Sequence, residues 1–396
     1  MRILAVWDNE AEAELISMYL GVDENEVTMT TTPADFRAAI ESGQPADILL
    51  MTIGLPDQES GFELFELVRD HYPNAPIVGA CTASEVFNVV RFMANGMSAY
   101  VTRDAGGDYI FMLQAIMKST FDAVHAAREK EMAAKLREEI ESVRKLQESV
   151  IPKNLVAPNG YRICGRYEPS QIRVLGGQPV TLAGGDYYNI FTLEDGNIVL
   201  LMGDAAGHGM KSCLSIMTMH TLVRMMAKHE YKDTAHFVDE INKGLCEQSI
   251  VSEKGGFITL LYGILDVETQ TLQWSTAGHQ PPLVQNLSTG TIEPLAGQDA
   301  GGLPLAVMED EVYETYTSKL PEHCRLVLFT DGLEEAFPEG DDENQFGLDG
   351  IVRTLAETAE LPLEEALARL FDLSNKFTEG SGRQDDTSVL IVERRP

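Results

Sequence analysis

The chain has 396 residues, with 30 Lys and Arg against 62 Asp and Glu, a formal net charge of −32. So acidic a surface argues against a nucleic-acid binder and against a protein held on anionic lipid. The mix of 44% apolar and 23% charged residues is that of a globular chain, not a disordered one. At about 150 residues per domain the length accommodates two or three domains. No apolar run approaches the roughly 20 residues needed to span a bilayer, and the opening MRILAVWDNE is too short and too acidic for a signal peptide. Cys81, Cys164, Cys213, Cys246 and Cys324 are odd in number, far apart and without a CxxC pair. That usage fits a reducing cytosol, hence a cytoplasmic protein, and excludes a thiolate zinc cluster.

Residues 1–108 alternate short apolar runs with helical patterns. Strands are expected at Arg2–Trp7, Glu26–Thr30, Asp47–Met51, Ile77–Ala80 and Ala99–Val101. Helices are expected at Ala11–Gly21, Pro33–Glu41, Gly61–His71 and Glu85–Ala94, with a Gly-Leu-Pro turn at 54–56. Strands separated by helices imply a doubly wound α/β domain, a five-stranded parallel sheet covered on both faces. Its working face lies at the carboxyl ends of the strands.

Residues 109–151 contain neither Pro nor Gly. Leu136, Ile140, Val143, Leu146 and Val150 recur at steps of three and four among Glu, Lys and Arg. That is a narrow apolar seam on a long charged helix, the pattern of a coiled coil that pairs two copies of the chain. The alternative is a single amphipathic helix lying on its own domain. Pro152 ends it.

Beyond it the pattern changes to strands at Ile163–Tyr167, Asn189–Thr192, Ile198–Met202, Phe257–Leu265, Thr271–Ser275, Leu326–Phe329 and Ser388–Val392. A Glu-Asp-Gly turn occupies 194–196. Helices are expected at Lys211–Ala227, Thr234–Gln248, near 348–358 and at 363–377. Runs of strands beside runs of helices imply an α+β domain with antiparallel sheets.

Asp186 (AGGDYYN), Asp204 (LLMGDAAGHG), Asp331 (LFTDGL) and Asp385 (GRQDDTS) each sit at a strand end or in a turn beside glycine. One Asp-Gly alone reads as a cap or a turn. Several gathered carboxylates repel unless a hard cation lies between them, and all-oxygen ligation suits Mg²⁺ or Mn²⁺, not Zn²⁺. Glycine lets a backbone carbonyl approach the same ion.

In order, LQESVIP, GGDYYN, GDAAGHG, FITLLYGILD, STAGHQPPL, GLPLAV, LFTDGLEEA and RQDDTSVLIV resemble the SpoIIE/RsbU-type branch of the metal-dependent (PPM) protein serine/threonine phosphatases. The resemblance runs from about Leu146 to the end. It implies an antiparallel β-sandwich flanked by helices and a pair of Mn²⁺ or Mg²⁺ ions. The implied ligands are Asp186, Asp204, Asp331, Asp385 and the carbonyl of Ala205, with Asp204 bridging the metals and Asp204 and Asp331 the catalytic carboxylates. The implied reaction is in-line attack of metal-activated water on phosphoserine or phosphothreonine, with no covalent intermediate. The implied substrate is a phosphorylated STAS-type anti-sigma-factor antagonist. Two departures stand out: Asn189 where the family often has Asp, and an expanded stretch at 170–183. His208 reads as a general acid or, better, as a residue ordering the glycine turn; His279 reads as structural. The competing readings are a non-catalytic pseudophosphatase and a partner-switching scaffold. A diguanylate-cyclase reading of GGDYY fails because Tyr187 replaces the required acid.

ADILLMTIGLP, SGFELFELVRD and NGMSAYVTRDAG resemble response-regulator receiver domains. Thr52 stands where that family has its phosphoacceptor aspartate. Trp7 and Asp8 fall at its two metal acids, Arg103 at its lysine, and Cys81 or Thr82 at its switch hydroxyl. Without a carboxylate nucleophile the domain is expected not to be phosphorylated at Thr52, and to act as a protein-binding regulator or as a structural cap. The expected division is 1–120 receiver-like, 121–152 helical linker and 153–396 phosphatase.

Overall fold

Apolar strands that bury both of their faces organise the first part of the molecule. The computed structural model describes every residue except 23, 153, 173–179, 182, 208, 227–231, 253–254, 296–299, 381 and 396. It divides into two units, Met1–Lys135 and Leu136–Pro396. In the first, β1 (Arg2–Val6), α1 (Glu10–Leu20), β2 (Glu26–Thr30), α2 (Pro33–Glu41), β3 (Ile48–Thr52), α3 (Gln58–His71), β4 (Ile77–Thr82), α4 (Val86–Ala94) and β5 (Ala99–Arg103) alternate, and α5 (Tyr109–Val150) follows. The sheet order is β2-β1-β3-β4-β5, every pair parallel. Leu4, Val6, Leu49 and Met51 pack with Phe36, Phe65 and Phe92 on one face. Ile3, Ala5, Ile48 and Leu50 pack with Ile16, Leu113 and Met117 on the other. This is the expected doubly wound sheet. Local signals set the helix starts: Thr32 caps α2 ahead of Pro33, and Asp57 caps α3 by accepting from the amides of Glu59 and Ser60.

The helix α5 is continuous, as its freedom from Pro and Gly requires, and the boundary between the units falls within it. Leu136 and Leu146 of the apolar seam are 59% and 60% exposed, and Ile140, Val143 and Val150 are partly buried.

The second unit contains β6 (Tyr161–Glu168), β7 (Gln171–Ile172), β8 (Val180–Thr181), β9 (Asp186–Thr192), β10 (Ile198–Ala205), α6 (Met210–Met226), α7 (Thr234–Cys246), α8 (Ser249–Ser252), β11 (Ile258–Asp266), β12 (Thr271–Ala277), β13 (Leu283–Asn286), β14 (Ile292–Pro294), β15 (Tyr316–Lys319), β16 (Cys324–Phe329), α9 (Asp331–Glu334), α10 (Gly347–Glu357), α11 (Leu363–Phe377) and β17 (Thr387–Arg394). Two antiparallel sheets, β15-β12-β11-β10-β9 and β14-β13-β16-β17-β6, stack on each other. Between them lie Leu200, Met202, Leu261, Trp274, Leu328 and Leu390. Ile216, Met219, Phe237 and Ile241 of α6 and α7 cover the outer face of the first sheet. Ile351, Leu355, Leu370 and Phe371 of α10 and α11 cover the second. Alternating side chains of each strand thus feed two layers.

The strand expected from Asn189 begins three residues earlier, at Asp186; its first residues had read as a glycine turn. The short strands β13, β14 and β15 carry too few consecutive apolar residues to register in the sequence. The expanded stretch at 170–183 has its base in the hairpin of β7 and β8; its residues 173–179 and 182 lie outside the described residues.

Candidate active site

Asp186 opens β9 and Asp204 lies near the end of β10, and the antiparallel register places them directly opposite each other. Like charges so paired destabilise a sheet. Two further acids come from the other sheet: Asp331 starts α9 just after β16, and Asp385 and Asp386 precede β17, the neighbour of β16. The two sheets are joined at this edge by the Thr330 hydroxyl, which donates to Asp186 Oδ2 at 2.7 Å and accepts from the Ser388 amide at 2.8 Å.

The electrostatics record the crowding. Burial, and then the charge of Asp386, push the Asp186 carboxyl well above the usual carboxylate range. Burial, followed by the charges of Asp186, Asp331, Asp385 and Asp386, raises Asp204. Asp331 is raised by burial and by Asp386. Asp385 is raised by burial to about 6, and Asp386 is raised by burial as well. All four aspartates singled out in the sequence therefore act on one another here, with Asp386 as a fifth.

The turn leading into β9 is held from two sides. Asp386 accepts from the Gly185 amide at 2.6 Å and from the Ser170 amide at 2.8 Å. Gln147, buried at the end of α5, accepts from the Gly184 amide at 2.7 Å and donates to the Asp186 carbonyl at 3.4 Å. A Cβ on Gly185 would stand 2.7 Å from the Ala205 carbonyl oxygen, so glycine is what lets that oxygen lie against the turn. Asn189 does not join the cluster; its amide donates to the Tyr187 hydroxyl at 3.0 Å. His208 lies outside the described residues. His279 is buried, takes part in a 2.9 Å bond with the Thr259 hydroxyl, and is pushed by burial down to about 4, which keeps it neutral.

Asp386, Thr330 and Gln147 were not singled out in the sequence. Each had a faint signal: the doubled acid of the QDDTS segment, the hydroxyl before Asp331, and a glutamine in LQESVIP.

Among the described residues, no three His, Cys, Asp or Glu side chains are gathered closely enough to hold an ion as they stand. The donor set nevertheless has the chemistry of a hard-cation site: oxygen atoms alone, raised carboxyl pKa values, and an Asp331 Oδ1 that is buried without a hydrogen-bond partner.

At the carboxyl ends of the N-terminal parallel strands, Thr52 is buried and its hydroxyl has no partner. Arg103 pairs with Asp8 at 2.7 Å and with Glu12 at 3.1 Å, and lies 4.9 Å over the Trp7 ring. Trp7 and Tyr109 both donate to Glu12. Cys81 turns into the core, whereas the Thr82 hydroxyl donates to Glu85 at 2.9 Å.

Two stacked antiparallel sheets flanked by helices, with acids from both sheets meeting at one edge, define a PP2C-like domain. The chain belongs to the family described as Stage II sporulation protein E (SpoIIE), which matches residues 194–395. Asp204, Asp331 and Asp385 fall inside that match, and Asp186 just precedes it. The chain is 22% identical to protein IcfG of Synechocystis sp. over 285 residues, covering 65% of this chain and 41% of IcfG. It is 23% identical to the phosphoserine phosphatase RsbU of Bacillus subtilis over 220 residues, covering 55% of this chain and 61% of RsbU. It thus spans about half the length of these relatives. In fold it is similar to the SiaA-PP2C domain of Pseudomonas aeruginosa, with a TM-score of 0.53 at 17% identity, covering 68% of this chain and 100% of that domain.

Proposed function

We propose that the protein is a metal-dependent protein serine/threonine phosphatase. The observation that carries this is the meeting of Asp186 and Asp204 from one sheet with Asp331 and Asp385 from the other. Those four carboxylates and the Ala205 carbonyl would hold two Mn²⁺ or Mg²⁺ ions. Bound there, the metals would supply water of lowered pKa and neutralise phosphate charge. Thr330 fixes Asp186 by its 2.7 Å bond, and Gln147 and Asp386 fix the backbone before it. The P–O bond to serine or threonine breaks as water's oxygen bonds to phosphorus; the alcohol leaves with a proton and inorganic phosphate remains.

Hydrolysis of p-nitrophenyl phosphate, with Mn²⁺ and with EDTA, tests this reading. Metal-dependent turnover that is lost in Asp204→Asn is the expected result. Absence of turnover under every metal condition would leave a non-catalytic partner-binding protein.

The substrate we propose is a phosphoserine on a STAS-type anti-sigma-factor antagonist, an inference supported by the similarity to RsbU. Residues 1–120 act as an unphosphorylated regulatory domain, 121–152 as the linker and 153–396 as the phosphatase. Two copies pair through the linker, which the exposure of Leu136 and Leu146 supports; sedimentation of Leu136→Glu/Leu146→Glu as a monomer where the parent is a dimer tests it. The described helices include none long and apolar enough to cross a membrane, and all five cysteines are free, which supports a cytoplasmic location.

A further inference from the structure

Next to the acidic cluster lies a cavity of about 420 Å³, walled by Glu168, Gln171, Asn375, Thr378, Gly382 and Arg383 among others. The cavity borders that cluster through the chain itself: the wall residues Pro169 and Gln171 flank Ser170, whose amide donates to Asp386, and Arg383 lies three residues before Asp386. A buried arginine stands in its wall. Arg383 is only 4% exposed. Its Nε donates to Glu168 at 2.9 Å, and its Nη1 reaches the Thr387 hydroxyl at 3.0 Å, the Ser374 hydroxyl at 3.3 Å and the Gly332 carbonyl at 3.4 Å. Its Nη2 has no partner.

Glu168 does not balance this arginine alone. The same carboxylate pairs with Arg166 at 2.5 Å and accepts from the Asn375 amide at 3.1 Å. Two guanidinium groups therefore share one carboxylate. A buried guanidinium nitrogen left without an acceptor is costly, and the planar fork of arginine matches an oxyanion better than any other partner.

We propose that this cavity is an oxyanion pocket, completed by Arg383, that takes a carboxylate or phosphate group. Two sources supply that chemistry: an acidic residue beside the phosphorylated residue of the protein substrate, or free phosphate. The first source rests on the phosphatase reading; the pocket itself does not. Gln171, at the base of the β7–β8 hairpin, forms part of the wall.

The test begins with calorimetric titration of inorganic phosphate into the full chain in EDTA, where neither turnover nor metal-bound phosphate contributes. Saturable binding of one phosphate, weakened at least tenfold in Gln171→Glu, is expected. Gln171 is exposed, so that variant places a carboxylate at the pocket without disturbing the buried arginine; Arg383→Lys, checked for folding by circular dichroism, should weaken binding similarly. No saturable binding, or equal affinity in wild type and Gln171→Glu, overturns the pocket. The source is then read from turnover with Mn²⁺. A KM raised at least fivefold by Gln171→Glu for a phosphoserine peptide with an acidic neighbour, but unchanged for its alanine counterpart and for p-nitrophenyl phosphate, assigns the pocket to substrate. Equal KM values for all three assign it to free phosphate. Failure of all turnover would count against the phosphatase reading while leaving the phosphate titration to stand by itself.

Discussion

Gln147 and Gly184 face each other across a 2.7 Å hydrogen bond, side-chain oxygen to backbone amide, where the end of α5 meets the turn before Asp186. The same glutamine donates to the Asp186 carbonyl, and the Tyr167 hydroxyl reaches both Gln147 and Asp386 at 3.4 Å. Placement of the first acidic residue therefore depends on the helix. Gln147→Ala should lower kcat by about 5- to 10-fold, the equivalent of roughly 1 kcal/mol for a lost hydrogen bond. Steady-state kinetics beside a melting curve would check it; full activity in the variant would show that the contact does not matter for turnover.

Asp204→Asn should remove at least about 100-fold of the metal-dependent rate, since a carboxamide holds a divalent cation poorly. In EDTA the same variant should melt no lower than the parent. Without a cation, burial and four neighbouring acids keep the Asp204 carboxyl raised, so a neutral amide replaces a group already inclined to be neutral. A large drop in melting temperature would mean that Asp204 has a structural role.

Stability without metal should depend on pH in an unusual direction. Asp385 is raised to about 6, and Asp186 and Asp204 are also raised, all by burial first. Above the unfolded value of about 4 the folded chain therefore binds more protons than the unfolded one. The associated stabilisation is complete below that value and is lost as pH rises through the folded pKa values. Calorimetry in EDTA should give a lower melting temperature near pH 8 than near pH 6, with Mn²⁺ restoring more stability at the higher pH. A melting temperature in EDTA that rises from the lower pH to the higher contradicts the account.

Arg325 and Glu393 form a fully buried ion pair at 2.7 Å, and Arg325 also donates to the carbonyls of Thr358 and Leu361. Glu393→Ala leaves that charge without its partner and should cost about 3–5 kcal/mol. Urea denaturation measures this directly, and a loss below about 1 kcal/mol would place the pair among the weak ones.

Incubation of the protein with acetyl phosphate and Mg²⁺ should leave the N-terminal unit unlabelled. Thr52 offers no carboxylate nucleophile, and Asp8 is already paired with Arg103. Label retained on residues 1–120 and lost in Thr52→Val would disprove this.

Much of the architecture was legible because its signals are local. Alternating apolar runs gave the parallel sheet, and a stretch without Pro or Gly gave α5. Aspartates at strand ends or in turns beside glycine pointed to four of the five acids that act on one another. What stayed hidden depends on pairings distant in sequence. Asp386 meets Gly185 across 201 residues and Thr330 meets Asp186 across 144. Neither contact leaves a periodic trace, so the hold of Asp386 on the Gly185 and Ser170 amides could not be read from the sequence. The start of β9 was missed for a related reason: Gly-Gly-Asp reads locally as a turn, while its pairing with β10 is set by the sheet.

Two glycines on either side of β9 tolerate change differently. Gly196 sits in the turn between β9 and β10 with φ of 88° and open space around it, so an asparagine there is a modest perturbation. Gly184 has no such latitude: any side chain would run into the Tyr167 hydroxyl and the Asp386 carboxylate. In a saturation library, position 184 should come back monomorphic even when position 196, twelve residues of chain away, varies, and the smallest of all substitutions, one added methyl, should silence the molecule.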